Sequence, residues 1–159
     1  MDNFCYQCEQ TTKGTGCIAI GNCGKDPETS VLQDLVVHAA KGIAMYTHRA
    51  AELGMQDDML GRALIEALFA TVTNVNFDPV RLESDLALLG QTIEKARSLY
   101  ASACKQVGRT PEPLAGPALF RPASTRAGLL KQAAEGSIRA RIARLGADVA
   151  GLQELVLYG

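Results

Sequence analysis

The sequence predicts an all-α protein in which a cysteine-rich loop precedes an up-down-up three-helix bundle and the start of a second helical bundle. Two long segments carry apolar residues at alternating spacings of four and three, which is the pattern of a helix that buries one face. A shorter helical segment separates them, and short connections between such helices favour an up-down-up arrangement. The first residues have no helical periodicity and contain four of the five cysteines.

The chain divides by composition into four predicted parts. Residues 1–28 form the cysteine loop, and residues 29–108 form the three-helix bundle. Residues 109–123 are a proline-rich linker, because prolines recur there too often for a helix. Residues 124–159 hold short helices and the truncated start of a second bundle.

The first bundle helix is predicted from about Ser30 to Leu53, with Thr29 as its N-cap and Gly54 just beyond its C-terminus. The second is predicted from Gln56-Asp57-Asp58 to about Thr73. The apolar face of the first helix consists of Leu32, Val36, Ala39, Ile43, Tyr46, Ala50 and Leu53.

A turn over residues 74–77 leads to the third bundle helix. Asp78-Pro79 indicates its start, because an N-cap residue precedes a proline at the first helical position. The helix is predicted to reach about Val107 and to end at Gly108. Its apolar face consists of Leu82, Leu86, Leu89, Ile93, Ala96, Tyr100, Ala103 and Val107.

Three short helices are predicted after the linker. Ser124 is expected to cap one that ends at Ala134, a second covers Ile138–Leu145, and a third begins near Ala147. Residues 151–156 of the last helix echo residues 31–36 of the first, and repeated units usually mean repeated bundles. We therefore expect the chain to be cut short where a second bundle would begin.

The composition is that of an ordinary soluble globular protein, with 47% hydrophobic and 21% charged residues in 159. A net charge of −1 gives no global field that would favour nucleic acid. No apolar run approaches the ~20 residues that a membrane span needs. The N-terminus lacks a secretory signal, so free thiols predict a reducing cytoplasm.

Cys5, Cys8, Cys17 and Cys23 follow the spacing C-x2-C-x8-C-x5-C, and glycines surround the last two. Glycine permits the tight turns that direct four sulfurs to one point, so this pattern predicts a four-thiolate metal site. A disulfide framework is disfavoured because the chain is long enough for a normal core. Structural zinc usually pairs two C-x2-C hooks, whereas the second pair here is C-x5-C. The spacing favours an iron–sulfur cluster without deciding between cluster and zinc.

The residues around these cysteines resemble the N-terminus of the hybrid-cluster proteins, also called prismane proteins or hydroxylamine reductases. The resemblance spans essentially the whole chain, and its F-C-x-Q-C-x-x-T motif is highly specific. The matching residues are Phe4-Cys5-Tyr6-Gln7-Cys8-Glu9-Gln10-Thr11, Thr15-Gly16-Cys17, Cys23-Gly24-Lys25, Glu28-Thr29, Leu32-Gln33-Asp34-Leu35, Lys41-Gly42-Ile43 and the run from Gly146 to Leu155.

The resemblance implies that Cys5, Cys8, Cys17 and Cys23 hold the proximal cluster of the family. The short spacing resembles that of members with a [4Fe–4S] cluster, and a [2Fe–2S] cluster is the second choice. The implied function is electron transfer in the reduction of hydroxylamine to ammonia, or of nitric oxide. The implied partners are an electron donor protein and either the missing C-terminal part of a larger enzyme or a second copy of the chain.

One departure from the family bears on activity. Family members are several times longer, and the ligands of their hybrid cluster lie far downstream of any residue present here. We therefore assign no catalytic residue and expect the chain alone to be inactive, although the family is one of oxidoreductases. The alternative function, from a different class, is a zinc-stabilised helical interaction module without redox activity.

Four further features receive structural interpretations. His38 and His48 are ten residues apart on one predicted helix, too far to share a metal, and a lone buried thiol such as Cys104 is usually inert packing. Residues 121–144 carry six Arg and Lys residues against Glu135 alone. This basic segment is expected to be a solvated face, a docking surface for an acidic electron donor or a surface that meets a missing part of the protein, and not a nucleic-acid site.

Overall fold

The computed structural model describes residues 4–5, 7–8, 10, 16–72 and 75–158. Over these ranges the chain forms six α-helices and no β-strand, which confirms the predicted all-α class. The helices are α1 (Pro27–Glu52), α2 (Asp58–Thr71), α3 (Pro79–Gln106), α4 (Arg126–Gly136), α5 (Ile138–Leu145) and α6 (Ala147–Tyr158).

Helix α1 is the element around which the other two bundle helices and α4 pack. It contacts α2, α3 and α4, whereas α2 and α3 touch each other only slightly. Gln33 near the start of α1 donates to the Asn76 carbonyl just before α3, and Tyr46 near its end packs against Tyr100 near the end of α3. The two long helices therefore run side by side in the same direction. Their predicted apolar faces are buried except at the last residue of each, Leu53 and Val107.

Helix α1 starts earlier than predicted, and Thr29 is not its cap. Asp26 occupies the cap position, and its carboxylate accepts a hydrogen bond from the Thr29 backbone N–H at 2.7 Å. Pro27 follows at the first helical position, where its fixed φ suits a helix and its missing N–H costs nothing. The cysteine loop therefore ends at Asp26. Gly54 lies just past the helix with φ of +81°, as predicted.

The predicted starts of α2 and α3 are confirmed. Asp57 accepts from the backbone N–H groups of Met59 and Leu60, and Asp78 accepts from that of Val80. Helix α3 ends one residue before the predicted end, and Gly108 follows it with φ of +69°. Helix α2 ends at Thr71; the predicted end at Thr73 and the first residue of the predicted turn, Asn74, lie outside the described residues.

The proline-rich segment, residues 109–123, contains no α-helix but packs against α1. A short 3-10 turn, Gly116–Leu119, crosses that helix, and it buries Ala118 with Phe120 following it into the core. The approach is so close that a Cβ at Gly42 would lie 2.2 Å from the Pro117 carbonyl oxygen. The segment therefore belongs to the same packed core as the bundle.

The predicted cap of the first short helix was wrong by one residue. Thr125, not Ser124, accepts from the Gly128 N–H, because its backbone is extended where the helix begins. Helix α4 also runs to Gly136, two residues beyond the prediction. The bounds of α5 and the start of α6 are as predicted. In the described part of the chain, no helix combines the length and apolar character needed to cross a bilayer.

Candidate metal centre

The four cysteines of the sequence pattern line one small cavity. Cys5, Cys8, Cys17 and Cys23 share it with side chains or backbone of Phe4, Gln7, Gly21, Asn22 and Lys25. None of the four forms a disulfide with another described cysteine, and Cys17 is buried while the other three are partly exposed. Four thiolates are the donor set of iron–sulfur clusters and of structural zinc, so the residues present fit either group.

Backbone hydrogen bonds bring the first and third cysteines together. The Cys17 N–H donates to the Cys5 carbonyl at 2.7 Å, and the Phe4 N–H donates to the Cys17 carbonyl at 2.8 Å. These two bonds make an isolated antiparallel bridge between residues that are twelve positions apart. These bonds therefore hold the backbones of Cys5 and Cys17 side by side.

A tight turn carries the fourth cysteine. The Gly24 N–H donates to the Gly21 carbonyl and the Gly21 N–H donates to the Lys25 carbonyl, so the chain folds back around Cys23. Gly24 has φ of +91°, which glycine adopts without strain. A Cβ at Gly21 would lie 3.1 Å from the Cys23 sulfur, so a side chain at that position would crowd the thiol.

Helix α1 fixes the cysteine loop at its buried end. The Ser30 hydroxyl donates to the Phe4 carbonyl at 3.1 Å, and both residues are almost completely buried. The residue before the first thiol is thus tied to the first turn of the helix that organises the bundle. The position of Cys5 relative to the bundle follows from this contact.

The electrostatics of Cys5 reflect its neighbours. Burial raises the pKa of the Cys5 thiol, and the nearby sulfurs of Cys17 and Cys23 raise it further. The Gln7 backbone N–H and the Lys25 ammonium act in the opposite direction. Within the described residues, no three His, Cys, Asp or Glu side chains are placed to hold one metal ion. The thiols share a cavity without converging on a single point.

Lys25 is a charged residue in the lining of the thiol cavity, and it is only 2% exposed. Its ammonium lies 4.0 Å from the Cys5 sulfur, donates to the Gln7 side-chain oxygen at 3.0 Å, and sits 5.8 Å from the centre of the Phe77 ring. Lysine is rarely so buried unless another group compensates its charge. The sequence predicted no function for Lys25, which appeared only among the residues that match the hybrid-cluster proteins.

A second small cavity adjoins the first and contains buried charges. Phe4, Cys5 and Gln7 line it together with Asp34 of α1, Arg141 of α5 and Glu154 of α6. The Arg141 guanidinium donates to Glu154 at 2.6 Å, and the Ile138 backbone N–H donates to Asp34. These contacts hold the last two helices against the start of α1, next to the cysteine loop.

Burial is the main influence on Asp34. It raises the pKa of the Asp34 carboxyl to about 6, although the Ile138 N–H, Arg141 and Lys25 all favour the charged form. The neighbouring carboxylate of Glu154 adds to the rise. The sequence pattern does not predict this charge cluster. The similarity between residues 31–36 and 151–156 does place Asp34 and Glu154 at equivalent positions, and both residues line one cavity.

The remaining candidates lie away from the thiol cavity. His38 packs edge-on against Phe120 with ring centres 5.4 Å apart, and burial lowers the pKa of its imidazole. His48 is exposed and lies 3.7 Å from Glu52. Cys104 is 1% exposed within the apolar core. The burial of Cys104 in the core agrees with its interpretation as a packing residue.

Three of the six basic residues in the segment 121–144 pair with carboxylates on other elements. Arg121 pairs with Glu94 at 2.9 Å, and Arg141 pairs with Glu154. Arg126 pairs with both Glu28 and Glu83. The excess of positive charge that is evident along residues 121–144 is therefore smaller in the folded chain.

Comparison with known proteins assigns the chain to a family. Residues 3–159 match the Prismane/CO dehydrogenase family. Similar proteins include two hydroxylamine reductases. That of Rhodospirillum rubrum is 47% identical over 98% of this chain, and that of Geobacter sulfurreducens is 45% identical over 100% of this chain. The chain spans only 28% and 29% of the length of those two relatives. It belongs to the Prismane/CO dehydrogenase family and corresponds to the N-terminal part of its hydroxylamine reductases.

Proposed function

We propose that this chain is the iron–sulfur electron-transfer part of a hydroxylamine reductase-like protein, with Cys5, Cys8, Cys17 and Cys23 as ligands of a [4Fe–4S] cluster. The observation that carries the proposal is that these four thiols line one cavity. Family membership supports it, because the similar proteins are named hydroxylamine reductases.

The chain's own residues supply the thiolates and the environment around them. The bridge between Cys5 and Cys17 and the turn around Cys23 set the backbone positions of three ligands. Phe4 and Cys17 are buried, so water is partly excluded from the site. An iron–sulfur cluster, when bound, accepts and passes single electrons, and its potential depends on nearby charges and N–H groups.

The proposed partners follow from this role. An electron donor protein would deliver electrons to the site, and the remaining part of a longer protein, or a second copy of the chain, would receive them. A reducing cytoplasm suits five cysteines that form no disulfide among the described residues. Reduction of hydroxylamine to ammonia, or of nitric oxide, is proposed for the whole protein and not for these residues by themselves.

Iron and sulfide counts on the anaerobically purified chain test the proposal. About four irons and four acid-labile sulfides per chain, with a visible shoulder near ~400 nm and an EPR signal after dithionite, are expected. Two of each would keep the electron-transfer role but change the cluster to [2Fe–2S]. A colourless protein with one zinc per chain would overturn the proposal in favour of a zinc-stabilised module.

Turnover assays test the second half of the proposal. The purified chain, supplied with hydroxylamine and reduced methyl viologen, is expected to form no ammonia above the protein-free rate. Ammonia production in proportion to the concentration of the chain would contradict the division of labour proposed here.

A further inference from the structure

We propose that Lys25 is a positioning residue of the thiol site, and that its buried ammonium compensates the negative charge of the four thiolates and raises the reduction potential of the group they hold. This inference rests on the proposed function, because it requires a redox group at the four cysteines. It assigns a role to a side chain outside the ligand set.

The burial of Lys25 is the first argument. A side chain 2% exposed has lost nearly all contact with water, and an ammonium loses much hydration energy on burial unless opposite charge lies nearby. The ion pairs found among the described residues include none with Lys25. The Cys5 sulfur lies 4.0 Å from the ammonium, and it carries negative charge once it binds a metal.

The way the ammonium is held is the second argument. The Gln7 side-chain oxygen accepts from it at 3.0 Å, and the Phe77 ring lies 5.8 Å away, within reach of a cation–π contact. The Lys25 carbonyl accepts from the Gly21 N–H, and Asp26, the next residue, caps α1. Backbone and side chain are both fixed, so the charge has a defined place beside the thiols.

The position of Gln7 adds a third argument. Gln7 lies between Cys5 and Cys8, so the hydrogen bond from Lys25 also orients the hook that carries the first two ligands. One ammonium therefore contacts a ligand and the segment between two ligands. A fixed positive charge favours the more negative, reduced state of the site, which raises its reduction potential.

Three variants separate charge from shape. Lys25→Met removes the charge and keeps an unbranched apolar side chain, and Lys25→Arg keeps the charge. Lys105→Met is the control, because Lys105 is exposed at the far end of α3, roughly 40 Å along the helix from the end beside Phe77. The readouts are iron per chain, sulfide per chain and the midpoint potential from an EPR-monitored titration. In that titration dithionite supplies one electron to each protein molecule through mediators.

The expected result is a downward shift of the midpoint potential in Lys25→Met that exceeds the scatter between replicate titrations. Lys25→Arg should remain closer to the parent, and Lys105→Met should match it. If Lys25→Met loses its iron while Lys25→Arg keeps it, the result supports a requirement for positive charge when the cluster is assembled on the protein. Equal potentials in Lys25→Met and the parent, or equal iron loss in both Lys25 variants, would overturn the proposal.

Failure of the proposed function gives a different result. A parent chain that binds one zinc and no iron would overturn the cluster assignment and, with it, the claim about potential. Competition with a chelator would then measure the zinc affinity of both variants. Weaker binding in Lys25→Met but not in Lys25→Arg would support charge compensation of the thiolates by Lys25. Equal zinc affinities would overturn that part of the proposal too.

Discussion

The cysteine loop and the bundle around α1 are stabilised by different interactions. The bundle buries long apolar faces, with Leu32, Leu86 and Ile93 almost entirely removed from water. In the described part of the loop, Phe4 and Cys17 are the buried apolar side chains. Backbone hydrogen bonds supply most of the other contacts that stabilise the loop. The bundle therefore depends on packed area, whereas the loop depends on a few directional contacts and on whatever its thiols bind.

This difference separates stability from function. A lost core contact should weaken the whole fold in proportion to the apolar area removed, while a lost loop contact should change metal binding with little effect on the helices. Ser30 and Asp34 lie at the junction of the two regions. Both belong to α1, and they form hydrogen bonds with residues outside the three-helix bundle, Ser30 with Phe4 and Asp34 with Ile138. Variants in each region and at their junction can test the comparison.

Loss of one ligand should have the largest effect. Cys17→Ser removes the most buried of the four thiols, so iron and sulfide per chain are expected to fall to near zero while helical circular dichroism is retained. Cys104→Ser is the matched control, because Cys104 lies in the apolar core away from the cavity. Iron loss in Cys104→Ser equal to that in Cys17→Ser would contradict the assignment of ligands.

A core substitution should have the next largest effect, and on stability alone. Leu86→Ala is expected to lower the free energy of unfolding by about 2–5 kcal/mol, because it leaves a cavity beside α1. Leu88→Ala on the same helix is the control, since Leu88 is 58% exposed and should change stability by less than about 1 kcal/mol. Urea unfolding followed by circular dichroism measures both. Similar decreases in the free energy of unfolding in the two variants would mean that the buried face of α3 is assigned wrongly.

The charge at the junction should make stability depend on pH. The pKa of Asp34 is raised from 3.8 to about 6, so between these values the folded chain binds more protons than the unfolded chain. Its contribution to stability is complete below pH 4 and is lost as the pH rises through 6. A rise of about two units in the pKa of Asp34 corresponds to a change of about 3 kcal/mol in the free energy of unfolding.

Asp34→Asn removes this titration but keeps an oxygen that can accept from the Ile138 N–H. Relative to the parent, the variant should therefore gain stability between pH 4.5 and pH 7. Thermal midpoints of the two proteins, measured side by side across that range, test this expectation. Parallel curves would show that Asp34 does not titrate differently in the folded chain.

The smallest expected effect is at the bond between α1 and the loop. Ser30→Ala leaves the buried Phe4 carbonyl without this donor, which should cost about 1–3 kcal/mol in the local contact. The helices should unfold almost as in the parent, while a chelator should remove iron faster. Ser102→Ala on the exposed part of α3 is a control for loss of a serine hydroxyl. Unchanged iron release in Ser30→Ala would mean that the loop is held by its other contacts.

Local patterns predicted the helices better than they predicted the site. Asp57, Asp78 and Gly54 mark helix ends through bonds and dihedral angles that involve only nearby residues, and those predictions are confirmed. Thr29 and Asp26 are both residue types that cap helices, and Pro27 at the first helical position favours Asp26. The predicted cap therefore differs from the observed one by three positions in α1 and by one in α4.

The features that were missed depend on residues far apart in the chain. Nothing local shows that Lys25 is buried against Phe77 or that Asp34 faces Arg141. The same is true of Phe120, which enters the core only because the proline-rich segment crosses α1. Cysteine spacing could indicate which thiols act together, but the cation beside them required the folded chain.

The close approach at Gly42 has a mechanical consequence for the thiol site. A helix in a bundle can turn about its own axis with little change in its outline, but the Pro117 carbonyl lies where any side chain at Gly42 would be. Only one azimuth of α1 places the bare backbone under that carbonyl. Ser30 and Asp34 are on the same rigid helix, so the segment that crosses α1 also sets the angle at which these two residues face the cysteine loop.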